Sequence, residues 1–332
     1  SYHYQSLQPD FDRLTAVAER LVGEETGLRS LAGPARARVT DRPGWIRANL
    51  ASFQRLLAPM LEKFGDRVAS SRMAPFTARL AGAELGVVLG WMSGRVLGQY
   101  DLLVIEEENP QDQDIVYYVG PNVLALEKQF AFPPEEFRMW LALHEVTHRA
   151  QFTGVPWLRE HFLGLVHATM DTIDPDPARM SETLARVAAS IRSGNRPLAD
   201  GGLMNLMASP EQRAVLDRVS GMMSLLEGHG DITMDRAGRD LVPSADRFSK
   251  VLRERRESAR GLARILQQLI GLQAKLAQYA QGEAFITEVE RAGGRPLLDR
   301  AWEGPENLPS ILEIRTPQLW IDRMGAALPI AG

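Results

Sequence analysis

The residues best suited to chemistry lie in one short run, His144-Glu145-Val146-Thr147-His148. On a helix, positions four apart project from one face about a turn apart, so two imidazoles placed there can converge on a single tetrahedral ion. Glu145 follows the first of them, rotated about 100° around the helix axis. From there its carboxylate can reach a water beside the ion without being the obvious ligand. Zinc lowers the pKa of such a water towards neutrality, and a carboxylate base takes the proton as the water attacks a carbonyl. With 6 histidines in 332 residues, composition alone would produce this pattern in about one such chain in a hundred. The competing reading is a pair of structural histidines, hydrogen-bonded on a helix face.

A catalytic zinc takes three protein ligands and leaves one position open. The extended H-x-x-G-x-x-H pattern is absent, because Gln151 and Gly154 stand where its Gly and third His would be. A third ligand must come from further along. Glu227, in Leu225-Leu226-Glu227-Gly228-His229-Gly230-Asp231, is the best candidate. A carboxylate among Met222, Met223, Leu225 and Leu226 is costly to bury without a cation. Asp231, four residues on and on the same helix face, could accept the second ring proton of a liganded histidine and so fix its tautomer. The gap from His148 to Glu227 is long, 79 positions, and it keeps His229, Asp231, His161 and His167 open as other third ligands. His229 reads otherwise as a supporting or surface histidine. Tyr117 and Tyr279 could each donate to a developing oxyanion, although tyrosines more often pack with a satisfied hydroxyl.

The whole chain must position these groups with nitrogen and oxygen ligands only, since it has no cysteine for thiolate sites or disulfides. A hydrophobic share of 45% with 24% charged residues is that of a soluble globular protein with a sizeable core. The net charge of −4 gives no reason to expect nucleic acid or an anionic membrane as partner. The polar start, Ser1 to Phe11, lacks a signal-peptide profile, and cytoplasmic is the default location. In and just after the apolar stretch Leu80–Leu97, glycines recur at 82, 86, 90, 94 and 98. That spacing would let another backbone approach one helix face, but the uncharged stretch is too short to span a bilayer. A buried soluble helix is expected there, without stable membrane insertion. Oligomeric state is not legible.

Most of the chain reads as helix. Asp41 before Pro43 makes a helix start, followed by Trp45, Leu50, Phe53, Leu56, Leu57, Met60 and Leu61 at helical spacing. Leu102–Ile105 and Ile115–Val119 form the only clear strand pattern, a hairpin or two neighbouring strands. The second of these is either an internal strand with no free edge or an edge strand. Pro133-Pro134-Glu135-Glu136 opens the helix of the histidine motif, which ends near Gly154 and Pro156. Helix is expected again over Glu211–Asp235 and from an N-cap at Ser244 to about Gln281. Gly293-Gly294 closes the next helix, and a tail with Pro305, Pro309 and Pro317 forms short helices. The expectation is a mainly α chain with a small β-sheet (α+β), arranged as one domain. Its regions are an N-terminal helical part (1–100), strands and metal-binding helix (101–155), a helical insertion (156–210) and a helical part carrying the third ligand (211–332).

Several segments resemble the zincin-like metallopeptidases of actinobacteria and related bacteria, some of them associated with deazaflavin-coenzyme biosynthesis. They are Gly90-Trp91-Met92-Ser93, Leu97-Gly98-Gln99-Tyr100-Asp101, His144-Glu145-Val146-Thr147-His148, Leu226-Glu227-Gly228-His229 and Gln281-Gly282-Glu283-Ala284-Phe285. The resemblance implies a zincin-type fold, a zinc site and hydrolase activity, without a known substrate; one zinc ion and a peptide or protein substrate are expected. It also implies that Ile115–Val119, if it is an edge, receives an extended peptide by strand addition. The rival function is a zinc-stabilised binding or scaffold protein that keeps the motif and cleaves nothing.

Overall fold

The computed structural model describes residues 4–52, 86–87, 89–102, 114–171, 210–257 and 272–326. Among the described residues the architecture is mainly helical with one three-stranded sheet, as the sequence led us to expect. Contacts divide the chain into two compact units, residues 1–156 with 230–270, and 157–229 with 271–332.

In the first unit, helix α1 (Gln8–Thr26) precedes strand β1 (Arg36–Thr40), and β2 (Gly98–Tyr100) and β3 (Ile115–Val119) complete the sheet. Helices α2 (Gly120–Phe130) and α3 (Pro134–Gly154) follow directly. Helix α3 starts at the predicted proline, with Glu135 and Glu136 in its first turn, where they oppose the positive helix end. It is buried nearly all round, through Phe137, Trp140, Leu141, Leu143, Val146 and Ala150, which marks it as the central rod of this core. Phe248, from a helix that begins at Ala245, the position after the predicted cap Ser244, joins the same core.

The sheet order is β1-β3-β2. All five residues of β3 are buried, which suits its near-continuous run of β-branched and aromatic residues. It pairs in parallel with β1, Arg36 opposite Ile115, and antiparallel with β2, Gly98 opposite Tyr118. With a strand on each side β3 has no free edge, so of the two readings left open for it the internal strand holds and the peptide addition does not. The antiparallel partner also lies upstream of the expected Leu102–Ile105; residues 103–105 fall outside the described residues. Tertiary pairing rather than propensity places Gly-Gln-Tyr in the ladder. Trp45 Nε1 donates to Gln99 Oε1 at 2.7 Å, and Asp101 N donates to Ile115 O at 3.1 Å. Strand β1 was not anticipated. Only Val39 and Thr40 favour a strand there, and its partner lies far away in sequence.

The outer side of β1 is closed by a side chain. Gln8 Nε2 donates to Ala37 O at 3.0 Å, and Gln8 Oε1 accepts from Val39 N at 2.8 Å. Pleating sends Val116 and Tyr118 to the face shared with α1 and α3. There Phe11 stacks on Tyr118 at 3.8 Å, Thr15 Oγ1 lies 2.8 Å from its hydroxyl, and burial drives its phenol pKa up. Tyr117 takes the opposite face, with the Arg38 guanidinium 5.9 Å from its ring centre. It is therefore turned away from the histidine motif.

The helix start at Asp41 is as expected, with Asp41 Oδ1 accepting from Gly44 N at 2.7 Å and residues 42–52 helical. Phe53, Leu56, Leu57, Met60 and Leu61 lie outside the described residues. Among the described residues, a Cβ at Gly86 or Gly90 would meet nothing within 4 Å, so no described backbone makes the close approach expected of the glycine stripe at those two positions. Gly98, last of the series, is in a strand instead. Among the described residues no helix is long and apolar enough to cross a membrane.

The second unit contains α4 (Leu158–Asp171), most of α5 (Pro210–Ala237), α6 (Leu272–Asp299) and the short α7 (Ile311–Arg315) and α8 (Pro317–Ala326). Of the expected insertion, residues 172–209 lie outside the described residues. So does the side chain of Tyr279. The break expected at the double glycine is present, with Gly294 at φ 68°. The proline-rich tail forms the short helices; Ser310 and Glu313 cap each other at the start of α7, and buried Trp320 donates to Asn307 O at 2.8 Å.

Candidate metal centre

His144 and His148 stand one turn apart on α3, their rings 4.7 Å apart and nearly perpendicular. Both are partly exposed, in a stretch from Met139 to Gln151 that is otherwise buried. Glu227 is 3% exposed, between Leu225, Leu226 and Met222, which are at most 1% exposed. Each of His144, His148 and Glu227 offers one ligand atom, and these atoms all lie within 4.8 Å of one another. The three residues named from sequence are thus brought together.

Two glycines after Glu227 show how α5 is seated. A Cβ on Gly228 would lie 2.3 Å from the carbonyl carbon of Gly282, so only glycine admits the α6 backbone there. At Gly230 the nearest neighbour is the His148 ring, with Cε1 3.4 Å from an added Cβ. Asp231 follows, partly buried. His229 is buried against Trp302, with ring centres 5.1 Å apart, and it is not in the cluster of potential ligands. Neither is Asp231, His161 or His167. Burial, together with the charge of Arg218, lowers the His161 pKa.

Glu145 is 7% exposed and lies against β2. Tyr100 N donates to its Oε2 at 3.1 Å. In the antiparallel register Gln99 and Asp101 turn their amides to β3, so that of Tyr100 faces the other way. Gly98 makes room for the side chain, because a Cβ there would stand 2.7 Å from Glu145 Cγ and Oε1. Strand β2 therefore grips the carboxylate with one amide and one missing side chain.

Sequence reasoning overlooked two residues around this helix. Gln151 Oε1 lies 3.0 Å from His148 Nδ1. An amide three residues after a candidate ligand is a signal that spacing alone could have raised. Arg149 is 1% exposed, and its guanidinium reaches Asp114, Glu19 and Gly33 O. A charged residue beside a ligand gave no cue to its burial.

The donor set, two imidazoles and a carboxylate with no thiolate, fits zinc, and a buried carboxylate calls for a cation or donors nearby. The chain belongs to the zincin-like metallopeptidase family, whose model matches residues 2–321. It is also similar to a protein of Chloroflexus aurantiacus whose crystal structure is described as that of a "putative hydrolase with a novel fold". The two are 33% identical with a TM-score of 0.71, covering 98% of this chain and 92% of that one. A search of curated proteins finds no match. Family membership implies a zinc-dependent hydrolase.

Proposed function

We propose that the protein is a zinc peptidase in which His144, His148 and Glu227 hold one ion and Glu145 is the general base. The observation that carries this reading is the convergence of two helical imidazoles and a buried carboxylate within 4.8 Å. When bound, zinc supplies Lewis acidity, making water more acidic and a carbonyl more electrophilic. Glu145 takes the proton of the attacking water and delivers it to the departing nitrogen. That role needs a carboxylate positioned before substrate arrives, and the Tyr100 amide meets this need. Asp231, one turn past Glu227, is assigned as an orienting partner of His144, with His229 as a packing support behind the centre. The family supports a peptide or protein substrate.

The test begins with elemental analysis of protein purified without added metal, where one zinc per chain is expected. Glu227→Gln should weaken zinc binding by more than the roughly 10–100-fold typical of losing a partner behind a ligand. A mixed peptide library read by mass spectrometry should show cleavage that a chelator stops and zinc restores. A chain without zinc would overturn the metal reading. One that holds zinc yet cleaves nothing would be a zinc-stabilised binding protein.

Gly98→Ala gives a second check. Its Cβ would displace the buried Glu145 side chain, so a modest fall in melting temperature is expected while the protein still folds. Cleavage should fall by about 100-fold, the usual cost of a misplacement near 1 Å. Unchanged kcat/KM would mean that β2 does not position the base.

A further inference from the structure

We infer that Gln151 is a positioning residue that locks the tautomer of His148 and leaves its Nε2 as the nitrogen for the metal. The inference takes its purpose from the zinc reading, but its primary readout needs no metal.

Gln151 is fully buried, three residues beyond His148 on α3, a spacing that sets the two side chains side by side. The contact runs from His148 Nδ1 to Gln151 Oε1 at 3.0 Å. A carbonyl oxygen has no proton to give, so the hydrogen must sit on Nδ1. A neutral imidazole carries one such proton, and Nε2 then presents its lone pair. The Cε1–Nε2 edge of the ring faces Gly230, whose added Cβ would lie 3.4 Å from Cε1 and 3.7 Å from Nε2. The imidazole is thus bounded by an acceptor at one nitrogen and by the α5 backbone near the other. For His148, the acceptor that fixes the tautomer is Gln151. The reversed amide would set an NH2 against Nδ1 and move the proton to Nε2, where it would block ligation.

The experiment is long-range proton–nitrogen NMR on ¹⁵N-labelled, metal-free protein, at a pH where His148 is neutral. Wild type should carry the proton on Nδ1, and Gln151→Leu should shift it to Nε2. In chelator competition, the leucine variant should bind zinc about 10–100-fold more weakly. Gln151→Glu, which restores an acceptor, should recover the affinity, with circular dichroism melts showing that both variants fold. A wild-type proton on Nε2 would overturn the inference. So would a leucine variant that holds zinc as tightly as wild type. Should that variant not fold, the wild-type tautomer and the glutamate variant decide. If wild type takes up no zinc, the metal reading fails while the tautomer still settles what Gln151 does.

Discussion

Replacing Glu145 by glutamine should lower kcat/KM for peptide cleavage by about 10²–10⁴-fold while zinc stays bound. This range is what a positioned proton-transfer group contributes. Glutamine keeps the volume of the side chain and an oxygen that can still accept from Tyr100 N, so the grip of β2 survives. What it loses is the ability to take a proton. The cluster formed by His144, His148 and Glu227 does not include this residue, so metal content should match wild type. Cleavage kinetics with zinc analysis on the same sample separate the two effects. Undiminished turnover in the glutamine variant would remove Glu145 from the proposed role. Loss of zinc would instead show it to be part of the metal's support.

Arg149→Met should cost about 3–5 kcal/mol of stability, the usual penalty for removing one partner of a buried ion pair. Arg149 Nη2 meets Asp114 Oδ2 at 2.5 Å and Nη1 meets Glu19 Oε1 at 2.6 Å, while Nη2 also donates to Gly33 O. Its side chain is 1% exposed, against 14% for Asp114 and 31% for Glu19. Solvent therefore relieves the orphaned Glu19 more than Asp114, and most of the cost comes from Asp114. That residue also holds a left-handed φ of 54° just before β3, a conformation aspartate tolerates. The arginine ties the helix of the ligands to α1, to the loop before β1 and to the entrance of β3. Thermal unfolding of metal-free protein should show a drop of about 4–7 °C. A change under about 2 °C would mean that the network relaxes around the loss. Metal-free protein is specified because zinc binding would mask part of the difference.

How far the sequence revealed this centre depended on whether a feature was local. The His144–His148 pair and its helix were legible because four-residue spacing and a proline-acid start are written within one turn of chain. Glu227 could be picked out because its apolar neighbours made its burial expensive, a local cue to a distant event. The sheet was not legible in the same way. Gly98–Tyr100 has no strand propensity to speak of and owes its place to Trp45, Gln99 and β3. Strand β1 pairs with a segment far along the chain, and nothing near Arg36 announces it. The grip on Glu145 was hidden for the same reason, since it joins α3 to a strand more than 40 positions away. Gln151 differs, being near in sequence and visible to anyone asking what a histidine's other nitrogen does.

The amide of Gln8 has a consequence for the order of assembly. It reads β1 through one carbonyl and one N–H, at Ala37 and Val39, and a slip of a single residue would present a mismatched pair. Because Gln8 opens a helix that can form early, β1 can be seated in frame before its distant parallel partner arrives, a pairing that is slow by its nature. The first helix thus acts as a jig for the sheet. Pulse-labelling hydrogen exchange should find the Val39 amide protected ahead of those on β3, and Gln8→Ala should abolish that lead.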